Sequence, residues 1–318
     1  MEGNESLLVV CPLEEHHLLY FVSSLMINIF SVAANILHVI TLWNIPSVRT
    51  QNYFWILFHL SLADVAFSCM ALPRFFQTLP NFSSVSYQKV HIGYVFSDGL
   101  ILSAMYSRYA LLTLASFDRY YAICRPFKYK SSKILNEIHK VSLVLWIINT
   151  VFCVAVMYLP AATCILRGRP ASDMSEHHKT LTIILLVSYT TLPLVVSTVL
   201  LCFTYRELQQ MKERLSFNES QRELLNTYHF IAGSFIILYV TLVPLVMTLF
   251  MHVFSFDDKD LAIYVATQVS FTSQSLFGLA NIVFYAVLNP QYLTKVKEKF
   301  NFLRPIRIGH RDEESSEN

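Results

Sequence analysis

Charged residues and glycine are both scarce in this chain. Only 14% of its 318 residues are charged and only seven are glycine, whereas 54% are hydrophobic. Soluble globular proteins carry roughly 25% charged residues, so this composition argues against an ordinary soluble domain. The formal net charge is only +2. The chain is therefore expected to be built for a lipid bilayer, and we expect no nucleic-acid partner.

Other features are missing too. The sequence shows no internal repeat, no low-complexity stretch and no myristoylation, prenylation or tail-cysteine acylation signal, and we expect no attached soluble domain. Its acidic N-terminal end offers no signal-peptide core, so we expect the first helix to act as its own insertion signal. The histidines of the apolar runs, His38 and His59, stand alone in sequence, and we expect neither a metal site nor a cofactor.

Long apolar runs recur along the chain, and each is long enough to cross about 30 Å of hydrocarbon as a helix. The predicted fold is an all-α bundle of seven transmembrane helices plus a short amphipathic helix on the membrane surface. The predicted spans cover residues 18–43, 52–73, 92–124, 141–160, 180–205, 228–253 and 261–287. The predicted domains are an extracellular N-terminus over 1–17, the seven-helix domain over 18–287, the surface helix over 288–303 and a disordered cytoplasmic tail over 304–318.

The positions of the basic residues predict the orientation. Most of the 24 Lys and Arg residues fall in alternate loops and in the tail that follows the last span. Cytoplasmic loops carry such an excess, so the N-terminus is expected to face outward at the plasma membrane. Two sequons, at Asn4 and Asn81, then lie outside as candidate glycosylation sites, whereas Asn218 lies inside and should be unused.

Four motifs occur in the expected order along the spans. "AANIL" (33–37) lies in the first, "SLADVAF" (61–67) in the second, Asp118-Arg119-Tyr120 ends the third, and Trp146 lies in the fourth. This set resembles rhodopsin-like (class A) G-protein-coupled receptors, and the residues of its motifs are most similar to those of the odorant-receptor branch. The resemblance covers nearly the whole chain. It implies a receptor, not an enzyme, whose partners are a small-molecule ligand outside and a heterotrimeric G protein inside.

The resemblance also implies where the switch lies. Arg119 stands at the cytoplasmic end of its span beside Asp118, where an arginine can pair locally and then reach a partner when the helices separate. Asp118, Arg119 and Tyr120, the basic second inner loop and the region near Tyr228 are expected to contact the G protein. Without the other motifs, an interfacial charge extending to water would explain Arg119 equally well.

Arg108 is an unusual charge inside a span. Its spacing places it on one helix face with Ile101, Met105 and Arg119, about three turns above Arg119. Asp64 should lie at a matching depth in the second span, and an unpaired charge there would be costly, so we expect the two to pair. In most family members the residue matching Asp64 helps to bind sodium. The hypothesis is that Arg108 replaces that ion, with a purely structural salt bridge as the alternative.

The resemblance places the ligand between the outer halves of the third, fifth, sixth and seventh spans. The expected lining is apolar and aromatic with a few polar groups, which suits a small, weakly polar ligand, although most of these side chains could serve only for packing. Ile101 stands where amine receptors carry an aspartate, and Ser275 where opsins carry the retinal lysine, so neither class fits. The lining residues are Asp98, Ile101, Leu102, Met105, Tyr106, Leu185, Tyr189, Leu242, Leu245, Val246, Leu249, Thr267, Phe271, Gln274 and Ser275.

The chain differs from the family pattern in two places, the outer loops and the sixth span. Most relatives tie the top of the third helix to the second outer loop by a disulfide, but Tyr94 stands at the helix position here. Only Cys11 and Cys164 face outward in the predicted topology, and we expect them to form a bridge. In the sixth span, Leu242 stands where many relatives have a tryptophan, while Pro244 supplies the kink on which the helix can swing.

The seventh span contains two asparagines that could match the family's N-P-x-x-Y motif. Asn281, with Tyr285 four residues later, fits the expected depth, although Ile282 replaces the proline. Asn289-Pro290 comes too late and is predicted to start the surface helix, with Asn289 as its cap, and with Tyr292, Val296 and Phe300 facing lipid.

These observations favour a receptor for a small, mostly apolar, odorant-like ligand that activates a heterotrimeric G protein. The alternatives are an orphan class A receptor for a lipid or peptide, and a receptor-fold protein that signals poorly. A transporter or channel would require inverted repeats, paired broken helices or a polar pore, and the sequence has none. An intramembrane enzyme would require a catalytic pair or metal ligands within the spans.

Overall fold

The computed structural model describes residues 13–46, 52–76, 87–132, 137–155, 159–167, 176–214, 219–253 and 261–302. These residues are almost entirely helical, and no strand occurs among them. In chain order the helices are α1 (Leu13–Trp43), α2 (Asn52–Phe76), α3 (Tyr87–Cys124), α4 (Pro126–Ser131), α5 (Ile138–Cys153), α6 (Leu159–Leu166), α7 (Glu176–Arg214), α8 (Glu219–Val253), α9 (Leu261–Leu288) and α10 (Pro290–Phe302).

Six of the described helices are long and apolar enough to cross a membrane: α1, α2, α3, α7, α8 and α9. A further apolar helix, α5, is shorter and occupies the place of the predicted fourth span. The all-α fold class predicted from the sequence is confirmed. Three described helices lie outside these seven: α4 and α6 are short, and α10 follows the last candidate span.

The third helix is the centre of the bundle. It packs against α2, α5, α7 and α8, while α1 packs against α2 and α9, and α8 against α9. It is also the most buried of the candidate spans, whereas most of α7 is exposed to its surroundings. Groups on α3 can therefore reach most of the other helices, which is why its charged residues matter for function.

Hydroxyl side chains in the spans bond back to their own helices. Thr113, Ser116, Thr150, Ser197 and Thr204 each donate to the carbonyl oxygen four residues earlier, at 2.7–3.0 Å. A polar group in the hydrocarbon layer must find a partner inside the protein, because no water competes there. These bonds satisfy the hydroxyl donors within the helix that carries them.

Three helical segments differ from the sequence prediction. The fourth span, predicted as one helix over 141–160, corresponds to α5 and to the separate helix α6. The inner loop predicted over 206–227 is largely helical, because α7 continues to Arg214 and α8 begins at Glu219. Hydropathy marks only the part of a helix that lies in lipid, so polar extensions into water escape it.

The start of α10 also differs. Pro290 is its first residue, as predicted, but the Asn289 amide donates to the Tyr285 carbonyl, at 2.9 Å, so it closes α9 instead of capping α10. Tyr292 is buried rather than facing lipid: its hydroxyl lies 2.7 Å from His38 Nδ1, and its ring packs against Tyr285. Burial raises the pKa of Tyr292 above its usual range. An inward tyrosine therefore anchors α10 to α1 and α9.

Candidate functional site

The C-terminal end of α3 holds a buried cluster around Arg119. The Arg119 guanidinium contacts the Asp118 carboxylate, with Nε donating to Oδ2 at 2.8 Å. The Tyr129 hydroxyl donates to the other carboxylate oxygen, at 2.9 Å. The guanidinium carbon also lies 5.3 Å from the ring centroid of Tyr53 on α2. Arg119 is only 9% exposed, so the cluster holds a charge away from water by pairing it.

The cluster connects to α8 through aromatic rings. Tyr53 meets Phe230 of α8 edge-on at 6.2 Å, and Phe230 meets Tyr285 of α9 at 5.4 Å. Nearby, Tyr228 is buried and stacks on Tyr205 of α7 at 6.1 Å. Ring contacts thus link α2, α7, α8 and α9 near the Arg119 cluster, and a displacement of α8 would have to break them.

The short helix α4 carries a residue that the sequence interpretation missed. Phe127 is 91% exposed. Pro126 begins the helix, and Lys128 and Lys130 lie in its last turn. Tyr129, from the same helix, points back to Asp118 and ties α4 to α3. Tyr120, the last residue of the motif, is half-buried and packs edge-on against Tyr121 at 5.5 Å. The sequence signal for Phe127 was its position as an apolar residue among basic ones.

The structure brings together the two charges that lie inside the spans. Arg108 Nη2 lies 2.6 Å from Asp64 Oδ1, and both side chains are almost fully buried. The guanidinium carbon lies 5.0 Å from the Phe67 ring centroid and 4.8 Å from that of Phe277. Two aromatic faces and one carboxylate therefore surround the cation, an arrangement that partly replaces its lost hydration.

Gln274 of α9 continues this arrangement toward α8. Arg108 Nη1 donates to the Gln274 backbone oxygen at 3.1 Å and to its side-chain oxygen at 3.2 Å. The Gln274 amide nitrogen then donates to the Thr241 carbonyl oxygen at 2.9 Å. Gly278, one turn further along α9, allows the close approach to Asp64, because a β-carbon at this position would lie 2.8 Å from the Asp64 Cγ.

Asp64 of the ion pair also lines a cavity of about 10 Å3, which is comparable to the volume that one water molecule requires. Asp64, Asn281, Asn35 and Ser61 are among its lining residues. Asn281 is 4% exposed, and neither atom of its amide has a hydrogen-bond partner among the described residues. Tyr285, its predicted companion, instead packs against His38 and Tyr292. The cavity can accommodate a small polar species beside Asp64.

The predicted ligand-lining residues divide into two groups. Ile101, Met105 and Tyr106 are buried inside the bundle, and Leu242 is also buried. Asp98, Leu102, Leu185, Leu245 and Phe271 are half-buried. The side chains of Leu249 and Thr267 lie outside the described residues. The buried part of this region is therefore mainly apolar, with the phenol of Tyr106 as its polar group, and its role in ligand binding stays a prediction.

Three lining predictions differ from the observed contacts. Ser275 donates to the Asn28 side chain at 2.7 Å and so faces α1. Val246 is 58% exposed and faces away from the bundle. Tyr189 bonds to Asn149 and stacks on Phe152 at 4.5 Å, so it also packs against α5. Sequence spacing predicts which helix carries each residue, but not the direction in which its side chain points around the helix axis.

The remaining predictions from the sequence concern histidines, cysteines and sequons. His59 does not stand alone, since its Nε2 lies 3.0 Å from Nδ1 of His139. Within the described residues no group of three or more metal-ligating side chains occurs. Cys164 is half-buried and forms no disulfide with another described residue. Its predicted partner Cys11 lies outside the described residues, as do the sequons at Asn4 and Asn81.

Pro244 lies inside α8, and Pro193 lies inside α7. Each proline lacks the N–H that would bond to the carbonyl four residues earlier, which weakens its helix at that point. Beside Pro193, the Thr113 hydroxyl oxygen of α3 lies 3.3 Å from the proline carbonyl oxygen. Pro244 therefore provides α8 with a bending point, two residues after Leu242.

Comparisons with known proteins agree with this geometry. Residues 34–290 match the model of the 7 transmembrane receptor (rhodopsin family). The chain is similar to human Olfactory receptor 4N5, with 30% identity over 152 residues, covering 46% of this chain and 48% of the relative. It is also similar to human Olfactory receptor 1L8, with 34% identity over 116 residues and 34% of each chain covered. Each match thus spans less than half of the relative.

Proposed function

Because this chain belongs to the rhodopsin family of seven-transmembrane receptors, we propose that it binds a small, mostly apolar ligand of the odorant type and activates a heterotrimeric G protein. Members of this family are receptors and not enzymes. The chain is a multi-pass membrane protein. In the proposed orientation its N-terminus faces the outside of the plasma membrane, and α4 and α10 lie on the inner side.

The observation that carries the proposal is the paired arginine at the inner end of α3. Arg119 is held by Asp118 and by the Tyr53 ring, and Asp118 is held in turn by Tyr129. We assign this arrangement to the closed state of the receptor. When α8 moves outward, the ring contact between Tyr53 and Phe230 is lost and Arg119 becomes reachable from the inner side.

The docking surface for the G protein combines this opening with α4. An aromatic side chain that is 91% exposed is costly on a free surface, but it serves well as an anchor in a partner's apolar pocket. Phe127 meets that description, and the neighbouring Lys128 and Lys130 add positive charge for attraction to an acidic partner. The Tyr129–Asp118 bond would transmit a displacement of α4 to Arg119.

The ligand region supports a weakly polar ligand. Its buried part consists of Ile101, Met105 and Leu242, with the phenol of Tyr106 as a polar group. Pockets of this composition bind through burial of apolar surface, and a few polar groups fix the ligand's orientation. An ammonium ligand would require a buried carboxylate at the level of Ile101, and the residue there is aliphatic. A neutral odorant-like molecule therefore suits this region best.

The proposal is tested by cell-based cAMP and calcium assays against panels of odorants, lipids and amines. We expect a response to small apolar compounds that disappears in Arg119→Ala. Phe127→Ala should also lose most of the response while retaining surface expression, because it removes the anchor but no buried contact. Phe203→Ala is the matched control, since Phe203 is an exposed aromatic residue on the lipid-facing surface of α7. A response that survives both inner-side changes would contradict the coupling assignment.

A further inference from the structure

The carbonyl oxygen of Thr241 is an unusual meeting point between α8 and α9. It accepts a hydrogen bond from the Gln274 amide of α9 at 2.9 Å. The Ser273 hydroxyl of α9 also lies 3.0 Å from it, but the single proton of that hydroxyl has a nearer acceptor in the Ser270 carbonyl oxygen, at 2.8 Å. A mid-helix carbonyl is normally satisfied by its own helix, so the donor from Gln274 is an additional link between the two helices. The position of Thr241, three residues before Pro244, explains why these contacts matter mechanically.

Pro244 cannot donate to the carbonyl of Val240, so the backbone ladder of α8 is interrupted beside Thr241. A change in the bend of α8 at this proline would shift the neighbouring carbonyl groups relative to α9. The hydrogen bond from Gln274 to Thr241 therefore opposes such a change. The Ser273 hydroxyl lies near the same oxygen but is satisfied by Ser270 of its own helix, and only Gln274 connects the oxygen to the rest of the buried network.

Gln274 is the connecting residue. Its side-chain oxygen accepts from Arg108 Nη1 at 3.2 Å while its nitrogen donates to Thr241, so one amide contacts α3 and α8 at the same time. Arg108 in turn pairs with Asp64 of α2. Gln274 is only 1% exposed, so neither bond is exchanged easily for one to water. An amide is suited to this place because it both accepts and donates.

We infer that Gln274 is a positioning residue that couples the buried Asp64–Arg108 pair to the proline hinge of α8 and holds the hinge in its closed arrangement. The inference rests on the proposed function only in calling this arrangement closed. In this role the ion pair is more than a local structural contact, because its position sets the position of Thr241. Release of the Gln274–Thr241 bond frees α8 to change its bend while Asp64 and Arg108 stay paired.

The alternative is that Gln274 merely satisfies polar groups, in which case its loss would lower stability without favouring a different bend. Two substitutions separate these possibilities. Gln274→Glu keeps the oxygen that faces Arg108 but replaces the donor toward Thr241 with a second acceptor. Gln274→Leu removes both bonds. Ser273→Ala is the matched control, because it removes the neighbouring hydroxyl that lies near the Thr241 oxygen but leaves the hydrogen bonds of Gln274 to Arg108 and to Thr241 intact.

The experiment measures the distance between α5 and α8 on the inner side by pulsed electron spin resonance. Spin labels are attached at Lys140→Cys and His229→Cys, two exposed positions, in the full chain in lipid nanodiscs and in a background lacking other reactive thiols. In the absence of ligand, both Gln274 variants should add a longer-distance population. The loss of one buried hydrogen bond predicts a shift in the closed-to-open ratio of about fivefold to tenfold. Ser273→Ala should retain the parent distribution.

Two results would overturn the inference: unchanged distances in both Gln274 variants, or an equal lengthening in Ser273→Ala. Basal G-protein signalling is measured on the same variants as a separate readout. A lengthened distance without signalling would support the role of Gln274 and contradict the proposed coupling. A lengthened distance together with raised basal signalling would support both.

Discussion

Arg108 shows how a single residue can determine the chemistry of a membrane bundle. A charged group in the interior of a bundle is tolerated only when other groups replace its hydration. Here one carboxylate, one backbone oxygen, one amide oxygen and two aromatic rings surround the guanidinium. Removing one partner of a buried ion pair typically costs about 3–5 kcal/mol, because the other charge is left uncompensated. Asp64 and Arg108 are therefore expected to depend on each other.

That dependence predicts the response to sodium. In the parent protein the guanidinium already neutralises Asp64, so replacing sodium with choline at equal ionic strength should leave thermal stability and ligand affinity unchanged. In Arg108→Ala the carboxylate loses its cation and gains space, so sodium should now stabilise the receptor by binding to the folded state. Differential scanning fluorimetry of the purified protein measures this. Clear sodium sensitivity in the parent would contradict the role of Arg108 as a built-in cation.

A charge reversal provides the control for that experiment. Asp64→Arg and Arg108→Asp should each lower the yield of folded receptor, since each places two like charges side by side. The double variant restores the opposite charges and should recover part of the loss, which makes the two effects non-additive. If the double variant loses as much as the two single variants together, the charges do not act as a pair.

At the scale of the element, α8 and α9 are joined by an unusually close contact on their inner halves. Gly233 of α8 faces Phe284 of α9 so closely that a β-carbon would lie 2.0 Å from a ring carbon. The Phe284 ring also stacks on Phe230 at 6.2 Å. Glycine is required here by this approach and not by its backbone conformation. The contact holds together the two helices that Gln274 joins nearer the outside.

Gly233→Ala should therefore destabilise the closed packing of α8 on α9. Overpacking a tight contact typically costs about 1–3 kcal/mol, and the Phe284 ring must move to make room. We expect lower thermal stability and higher basal signalling. The double variant Gly233→Ala with Phe284→Ala should recover stability, because the ring that clashes is gone. If Gly233→Ala alone matches the parent protein in both measurements, the contact does not restrain α8.

The elements also show what sequence patterns can predict. The 3,4 spacing of Ile101, Met105 and Arg108 placed them on one buried face of α3, because helical periodicity and burial are coupled. The same reasoning failed for Tyr292, which shares an apolar face with Val296 but packs inward. Lipid and a bundle interior are both apolar, so hydrophobicity cannot distinguish a side chain facing one from a side chain facing the other.

The candidate site was predictable to a similar extent. Depth along each helix brought Asp64 level with Arg108, since a fixed rise per residue converts sequence distance into height. The contacts of Gln274 and Ser275 could not be obtained in this way. Both are polar residues of α9, yet one faces Arg108 and the other faces Asn28 of α1. That difference is set by the rotation of α9, which depends on contacts such as Gly278 against Asp64.

At the scale of the whole molecule, charge is distributed unevenly between the two ends of the bundle. One end carries basic residues, including Lys128 and Lys130 in α4 and Lys295 and Lys297 in α10. Such an asymmetry sets the orientation of a multi-pass protein during insertion. In the proposed orientation this end lies inside, so that the Arg119 cluster and Phe127 would face the compartment that contains G proteins, and the proposed ligand region would face the other side.

This orientation predicts how the two ends of the chain and its three sequons behave in cells. A peptide tag placed before Met1 should bind antibody on intact cells, whereas a tag placed after Asn318 should bind only after permeabilisation. Glycans should occur at Asn4 or Asn81 and not at Asn218, because the transferase acts only on the outer side of the topology. Endoglycosidase treatment of Asn4→Gln, Asn81→Gln and Asn218→Gln distinguishes the sites by their gel shifts. If Asn218→Gln alone abolished the shift and the tag after Asn318 were reached on intact cells, the bundle would be inverted. Arg119 would then face away from the cytoplasm, and the coupling assignment would fail with it.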